Sequence, residues 1–379
     1  MTRCLERLHM IATNCLSLTL TGRQKALPVL LLLSLAMASL LLVGCTTRDI
    51  TRVGGWASVL LQDNQVFVGT LNGEIMRLNA ENGSVVWRYP GTEEGAGQFY
   101  GNPVVDEQRI YLGSYNGKLY VLDRETGDQE WQQTTQGPIV GGPTLADGKV
   151  IVSSSDGNVY AYDVNDGTRL WQFAASDKVW STPVVWEGRV YFGSLDHYIY
   201  AISLTDGTLV WKYETGGGIV ARPLITDGMV VIGAFDRYLY ALDAAEGTLR
   251  WRFKAGNWFW AGAVTDGTYI YAAALDKKVY ALDMQGALRW EFKAASDLVA
   301  RPAVTPRGVL IATQKGRVHL LSTRDGREDW VYSIVGDESV RSPLSSEGRR
   351  VVLVTMKHSA VLLDVERGRE LWKVSTEKK

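Results

Sequence analysis

The side chains able to do covalent or metal chemistry are few in this 379-residue chain, and their spacing separates them. Cys4, Cys15 and Cys45 all fall in the first 45 residues, so nothing downstream can form a disulfide, act as a thiolate nucleophile or bind a metal through sulfur. His197, His319 and His358 sit in different repeats, at or beside the hairpin between the second and third strands, where they project around a rim and do not converge. Asp123, Asp163, Asp243 and Asp283 recur at equivalent places, which marks them as acceptors for backbone donors in their own turns. Gly95-Ala96-Gly97 precedes no helix, so it lacks the context of a dinucleotide loop, and no phosphate loop, zincin motif or serine elbow is present. What remains is the chemistry of recognition. Three residues ahead of the first-strand proline, or at the matching place, stand Trp56, Tyr100, Val140, Trp180, Val220, Trp260, Val299 and Val340, with Arg222, Arg301 and Arg341 one or two ahead. Such a ring can hold a peptide strand, an aromatic ligand or a carboxylate, the arginines acting as bidentate forks. The plainer reading, favoured on the sequence, is that the aromatics pack the loop undersides and the arginines fill solvated edges. In Asn257-Trp258-Phe259-Trp260, three successive aromatics cannot all enter one core from a strand, so Trp258 is the clearest partner-contact candidate.

The elements that must position these residues are repeats. One segment occurs eight times at a spacing near 40 residues, ending at Trp87, Trp131, Trp171, Trp211, Trp251, Trp290, Trp330 and Trp372. Within 183–215, short β-branched and aromatic runs (PVV, RVYFG, YIYAIS, LVWKY) alternate with turn residues, the pattern of a four-stranded antiparallel meander. A glycine stands four residues before each tryptophan, as expected where a turn needs positive φ. Asn116-Gly117 and Asp156-Gly157 read as primed two-residue turns between the second and third strands. A lone four-stranded sheet cannot bury both faces, so the units are expected to stack radially into an all-β, eight-bladed propeller, with the eight tryptophans covering the seams between blades. The first and last units are both complete, so closure requires no exchanged strand, although residues 46–55 could add one.

Composition agrees with a packed globular protein, being 46% apolar and 21% charged. Forty basic residues against 41 acidic ones give no electrostatic reason to expect nucleic acid as a partner. Residues 26–44 form an uncharged apolar run behind Arg23 and Lys25, the order of an export signal. The run ends in Leu42-Val43-Gly44-Cys45, which looks like a bacterial lipobox with Cys45 as the lipidated residue; a spanning anchor is the alternative. Removal of 1–44 takes away four basic residues and one acidic residue, moving the net charge from −1 to −4. The domain expectation is a signal peptide over 1–44, a lipidated tether over 45–55 and the propeller over 56–379.

The segments carrying Ala-x-Asp, then an acidic or Thr residue with Gly, then Trp, clearest in YALDAAEGTLRW (240–251), resemble the tryptophan-docking motif of the pyrroloquinoline-quinone-like propellers. Two branches of that family differ in function. Resemblance to the quinoprotein alcohol dehydrogenases implies a quinone and calcium; resemblance to the BamB-like lipoproteins implies a cofactor-free accessory of outer-membrane β-barrel assembly. Those dehydrogenases typically stack the quinone on a ring formed by two adjacent cysteines, and this chain has no Cys after position 45. The lipobox, the mature length and the compact units resemble the second branch. The expectation is therefore no cofactor and no catalysis, with a quinone- or other small-ligand-binding redox propeller, or a general envelope binding module, as the alternatives. The partners expected are envelope proteins, plausibly a component of the barrel-assembly machinery, together with the membrane through the lipid on Cys45, outside the cytoplasm.

Overall fold

The computed structural model describes residues 58–70, 72–90, 96–336 and 338–377. The signal segment, Cys45 and Trp56 lie outside them. The described chain forms eight four-stranded antiparallel sheets, each built from four consecutive strands in simple meander order. They are blades 1 to 8, spanning 58–89, 104–134, 144–174, 184–214, 224–254, 264–293, 303–333 and 345–375. The unit read from sequence at 183–215 appears as Val184–Trp186, Arg189–Gly193, Tyr198–Ser203 and Leu209–Glu214.

Burial follows position within the blade. Second and third strands are apolar on both sides and almost wholly buried, because each blade is sandwiched between two neighbours. Fourth strands alternate, with exposed residues facing water and the tryptophan turned inward. The core is a set of eight apolar clusters, each drawn from two adjacent blades. The cluster that closes the circle combines Val59, Val66 and Met76 of blade 1 with Val352, Leu362 and Trp372 of blade 8.

Each tryptophan lies flat on the turn glycine of the next blade. A Cβ at Gly127 would stand 2.6 Å from Trp87, and one at Gly247 would stand 2.6 Å from Trp211. At the closing seam Trp372 packs against Gly83 in the same way. All eight glycines have positive φ, so lack of a side chain serves both the turn and the ring above it. Seven indole Nε1 groups donate to a carbonyl of the following blade, for example Trp171 to Leu204 O at 2.9 Å and Trp372 to Ala80 O at 2.9 Å. Among the described residues Trp131 Nε1 is buried without a partner; the matching carbonyl, Val164 O, accepts from Arg109 Nη1 at 3.3 Å. Blades 8 and 1 are also stitched by side chains, with Ser345 Oγ accepting from Leu61 N at 2.9 Å and Glu347 Oε1 from Asp63 N at 2.7 Å. Among the described residues no strand is exchanged in this closure.

The turn assignment differs from the sequence reading. The primed two-residue turns join first and second strands, with positive φ at both Asp63 and Asn64, Asp147 and Gly148, and Glu187 and Gly188. Between second and third strands the connection has four residues. Ser114 N donates to Lys118 O, Gly117 N donates to Ser114 O, and of Asn116 and Gly117 only the glycine has positive φ. An Asn-Gly pair fits both geometries; the two extra residues exclude the two-residue turn.

Candidate functional site

A meander reverses direction at every strand, so the loops entering each blade and the second-to-third hairpins share one face of the propeller. On that face the central channel opens into a cavity of about 670 Å³. Tyr100, Val140, Trp180, Val220, Trp260 and Val299 all line it, each held in place by a buried residue just before it, such as Phe99, Ile139 or Leu298. Blade 8 is offset by one residue from the sequence alignment. Val340 is fully buried and pairs with Thr355, and Arg341 takes the channel position. The proline misleads there: Pro343 follows the buried Val340 by three residues, whereas Pro302 follows Leu298 by four.

The aromatic residues of the mouth are fixed by second-to-third hairpins. Tyr100 packs on Tyr115 with ring centroids 5.1 Å apart, and its hydroxyl donates to Gln98 Oε1 at 3.2 Å. Burial, then the neighbouring Tyr115, raises its phenol pKa above the ordinary value. Trp180 Nε1 donates to Ser155 Oγ at 2.9 Å. The aromatic triplet divides three ways: Phe259 is fully buried, Trp260 lines the cavity, and Trp258 is 45% exposed. Phe235, from a neighbouring hairpin, is stacked between the two indoles at centroid distances of 4.9 and 5.6 Å. The Trp258–Phe235–Trp260 stack thus runs from the exposed face to the channel mouth. Phe235 and Tyr115 were not legible as members of this site, since each lies far in sequence from the loop it meets.

A repeated acidic anchor, also missed in the sequence, holds these loops. Asp156, Asp196, Asp236 and Asp276 accept from the backbone N of Gln136, Ser176, Gly216 and Gly256 at 2.8 to 2.9 Å. The same carboxylates accept from Tyr160, Tyr200, Tyr240 and Tyr280. Burial first, and then the carboxylate, push these phenols up, so they remain donors at physiological pH. Asp123, Asp163, Asp243 and Asp283 accept within their own turns, Asp123 Oδ1 from Glu125 N and Thr126 N at 2.8 and 2.7 Å.

Arg222 and Arg301 stand two residues beyond the ring, on either side of Gly262. A Cβ at Gly262 would lie 2.6 Å from Arg222 O and 3.1 Å from Arg222 Cβ, so the glycine allows the Arg222 backbone to approach closely. Burial, reinforced by the charge of Arg222, pushes Arg301 down to about 9, which still leaves it charged at neutral pH. Burial also lowers Arg222, although its side chain remains open to the water of the channel. Among the described residues Arg301 Nε and Nη2 reach only Ala263 O, both at 3.3 Å. Arg341 Nε is buried without a partner among the described residues.

The histidines stay apart. His197 and His358 occupy hairpins with positive φ, whereas His319, expected at or beside a hairpin, lies within strand Arg317–Leu321 and is buried, its Nδ1 2.5 Å from Glu328 Oε2. Among the described residues no group of three or more His, Cys, Asp or Glu is placed to hold a metal ion.

This fold and face define a class: closed propellers of eight tryptophan-docked blades whose loop-rich face surrounds a channel mouth. A family model described as "Outer membrane protein assembly factor BamB" matches residues 47–110, 71–180, 177–258 and 257–379. The chain belongs to that family. Among solved structures, BamB from Moraxella catarrhalis is similar at a TM-score of 0.70 and 18% identity, over 79% of this chain and 93% of that one. The computationally designed Ika8 protein is similar at 0.72 and 16% identity, covering 81% and 95%. A quinohemoprotein alcohol dehydrogenase, ADHIIG from Pseudomonas putida HK5, is similar at 0.66 and 14% identity, covering 82% and 70%. At these identities the likeness is one of fold. A search of curated proteins returned no match.

Proposed function

We propose that this chain is a non-catalytic, lipid-anchored scaffold of the bacterial cell envelope that binds other proteins during assembly of outer-membrane β-barrels. The family match along the chain supports the setting. The observation that carries a binding role is the aromatic stack ending at the 45%-exposed Trp258, on a face built from loops anchored blade by blade. A large aromatic, pre-positioned by stacking and open to solvent, is the kind of group that supplies a disproportionate share of interface energy. Cys45 carries the tether in this reading, and the scaffold works from the periplasmic face of the outer membrane.

The dehydrogenase neighbour raises a second reading, a quinone with calcium in the channel, because the cavity has the volume of a small-molecule site. The lining does not fit the metal. Calcium asks for several oxygen ligands, usually carboxylates, and the cavity presents three arginines with no Asp or Glu among the described lining residues. Purified protein mixed with pyrroloquinoline quinone and calcium is expected to show no dye-linked alcohol oxidation. Removing the chain from its native host tests the scaffold reading: folded outer-membrane barrel proteins should fall, and unchanged levels would overturn it.

A further inference from the structure

We propose that the channel mouth is a binding site for a small oxyanion of two or more negative charges, a polycarboxylate or a phosphate compound, gripped between Arg222, Arg301 and Arg341. The inference rests on a cavity that gathers three arginines and no acid, in contrast to the arginines that are ion-paired elsewhere in the molecule. Arg77, Arg88, Arg109, Arg124, Arg289 and Arg307 each meet a carboxylate at 2.5 to 2.9 Å. The three channel arginines meet none among the described residues, and no acidic side chain is among the described residues lining their cavity. Two guanidinium groups flank Gly262 closely enough for the charge of one to lower the proton affinity of the other. Like charges brought together in partly desolvated surroundings raise the energy of the empty protein unless a counter-charge joins them. Arg341 Nε, buried without an acceptor, is a donor in want of one.

The surroundings suit an anion of modest size. The cavity of about 670 Å³ falls in the range of small-ligand sites. Tyr100, Asn102 and Thr182 also line it, offering hydroxyl and amide groups to an oxygen-rich ligand, and Thr182 Oγ1 already accepts from Gly142 N at 2.9 Å. A guanidinium presents a planar fork matched to carboxylate or phosphate oxygens, and three of them on different blades select for charge at more than one point of the ligand. The site is separate from the exposed end of the aromatic stack, so it does not depend on the scaffold reading.

Citrate and pyrophosphate are the probes, titrated into purified protein in chloride buffer and followed by calorimetry and by the fluorescence of Trp180 and Trp260. Saturable one-site binding that weakens with salt and falls at least tenfold in both Arg222→Gln and Arg301→Gln is the expected result. Arg307→Gln, outside the cavity, should bind as the unaltered protein does. Tighter binding of citrate would assign a carboxylate ligand, and tighter binding of pyrophosphate a phosphate one. Arg222→Gln, whose side chain is open to the channel, should fold with an unchanged or higher melting point in the absence of anion, since it relieves repulsion. Absence of saturable binding by both probes, or equal binding by the channel variants, would overturn the proposal. Binding of an oligoglutamate peptide with neither small anion would also overturn it, replacing the small ligand with an acidic partner segment.

Discussion

Trp131 and Trp251 occupy the same place in different blades, are both partly buried, and lie on the turn glycines Gly167 and Gly286, where a Cβ would stand 2.7 and 2.6 Å from the ring. They differ in one hydrogen bond. Trp251 Nε1 donates to Met284 O at 2.8 Å, whereas Trp131 Nε1 is buried with no acceptor among the described residues. Replacing each by phenylalanine removes a similar area of ring, so packing loss largely cancels in the comparison. At position 251 the change also strands a carbonyl, a cost of about 1–3 kcal/mol. At position 131 it removes an unsatisfied donor and costs nothing on that account. Trp251→Phe should therefore be the more destabilising by roughly 2 kcal/mol. Urea denaturation followed by circular dichroism reads this directly: with a slope of about 3 kcal/mol per molar, the two midpoints should differ by roughly 0.7 M. Equal slopes would confirm that the denatured states match. A Trp131→Phe midpoint at or below that of Trp251→Phe would refute the claim that indole donors to the next blade's carbonyls help hold the ring.

Gly247→Ala should lower the melting point, because its φ of 73° costs an alanine about 1–2 kcal/mol and the new Cβ meets Trp211 at 2.6 Å; Gly348→Ala, where a Cβ meets nothing within 4 Å, should pay only the backbone cost. Glu338 gives a pH dependence: burial alone would raise its pKa, but Lys373 at 2.6 Å and the Thr355 hydroxyl outweigh it, so the folded value lies below 4.5. Its contribution is present above the unfolded value and lost as pH falls through the folded one. The stability gap between the natural protein and Glu338→Gln should accordingly be full at pH 7 and shrink below about pH 4.5, in denaturation curves taken across that range. Cys45→Ser should release the exported protein from the membrane fraction, and retention in the bilayer would favour a spanning anchor.

The parts legible in the sequence were those repeated eight times. A tryptophan and a glycine four residues apart, recurring in every unit, specify both the hairpin and the seam, and both roles appear in the structure at each blade. The channel ring was also legible where the spacing of units holds, through Tyr100, Trp180 and Trp260. It failed at Val340, because the loop entering blade 8 is shorter between the buried residue and the proline, and alignment on Pro343 moved the reading by one residue. His319 was misplaced for a related reason, since a position near a hairpin in sequence lies within a buried strand in space. The stacking of Phe235 between Trp258 and Trp260 depends on loops of adjacent blades meeting, which periodicity alone does not report. That no carboxylate among the described residues meets the three channel arginines is likewise a property of the closed ring.

The face that carries Trp258 is the one proposed to grip other proteins. A photo-crosslinking amino acid placed at position 258 in living cells, compared with one at Glu187 on the opposite face, measures this most directly. Discrete adducts from position 258 that contain outer-membrane assembly proteins are expected, with few or none from position 187. Adducts confined to position 187, or none from 258 in cells where the protein is exported and folded, would contradict the proposed role of this face.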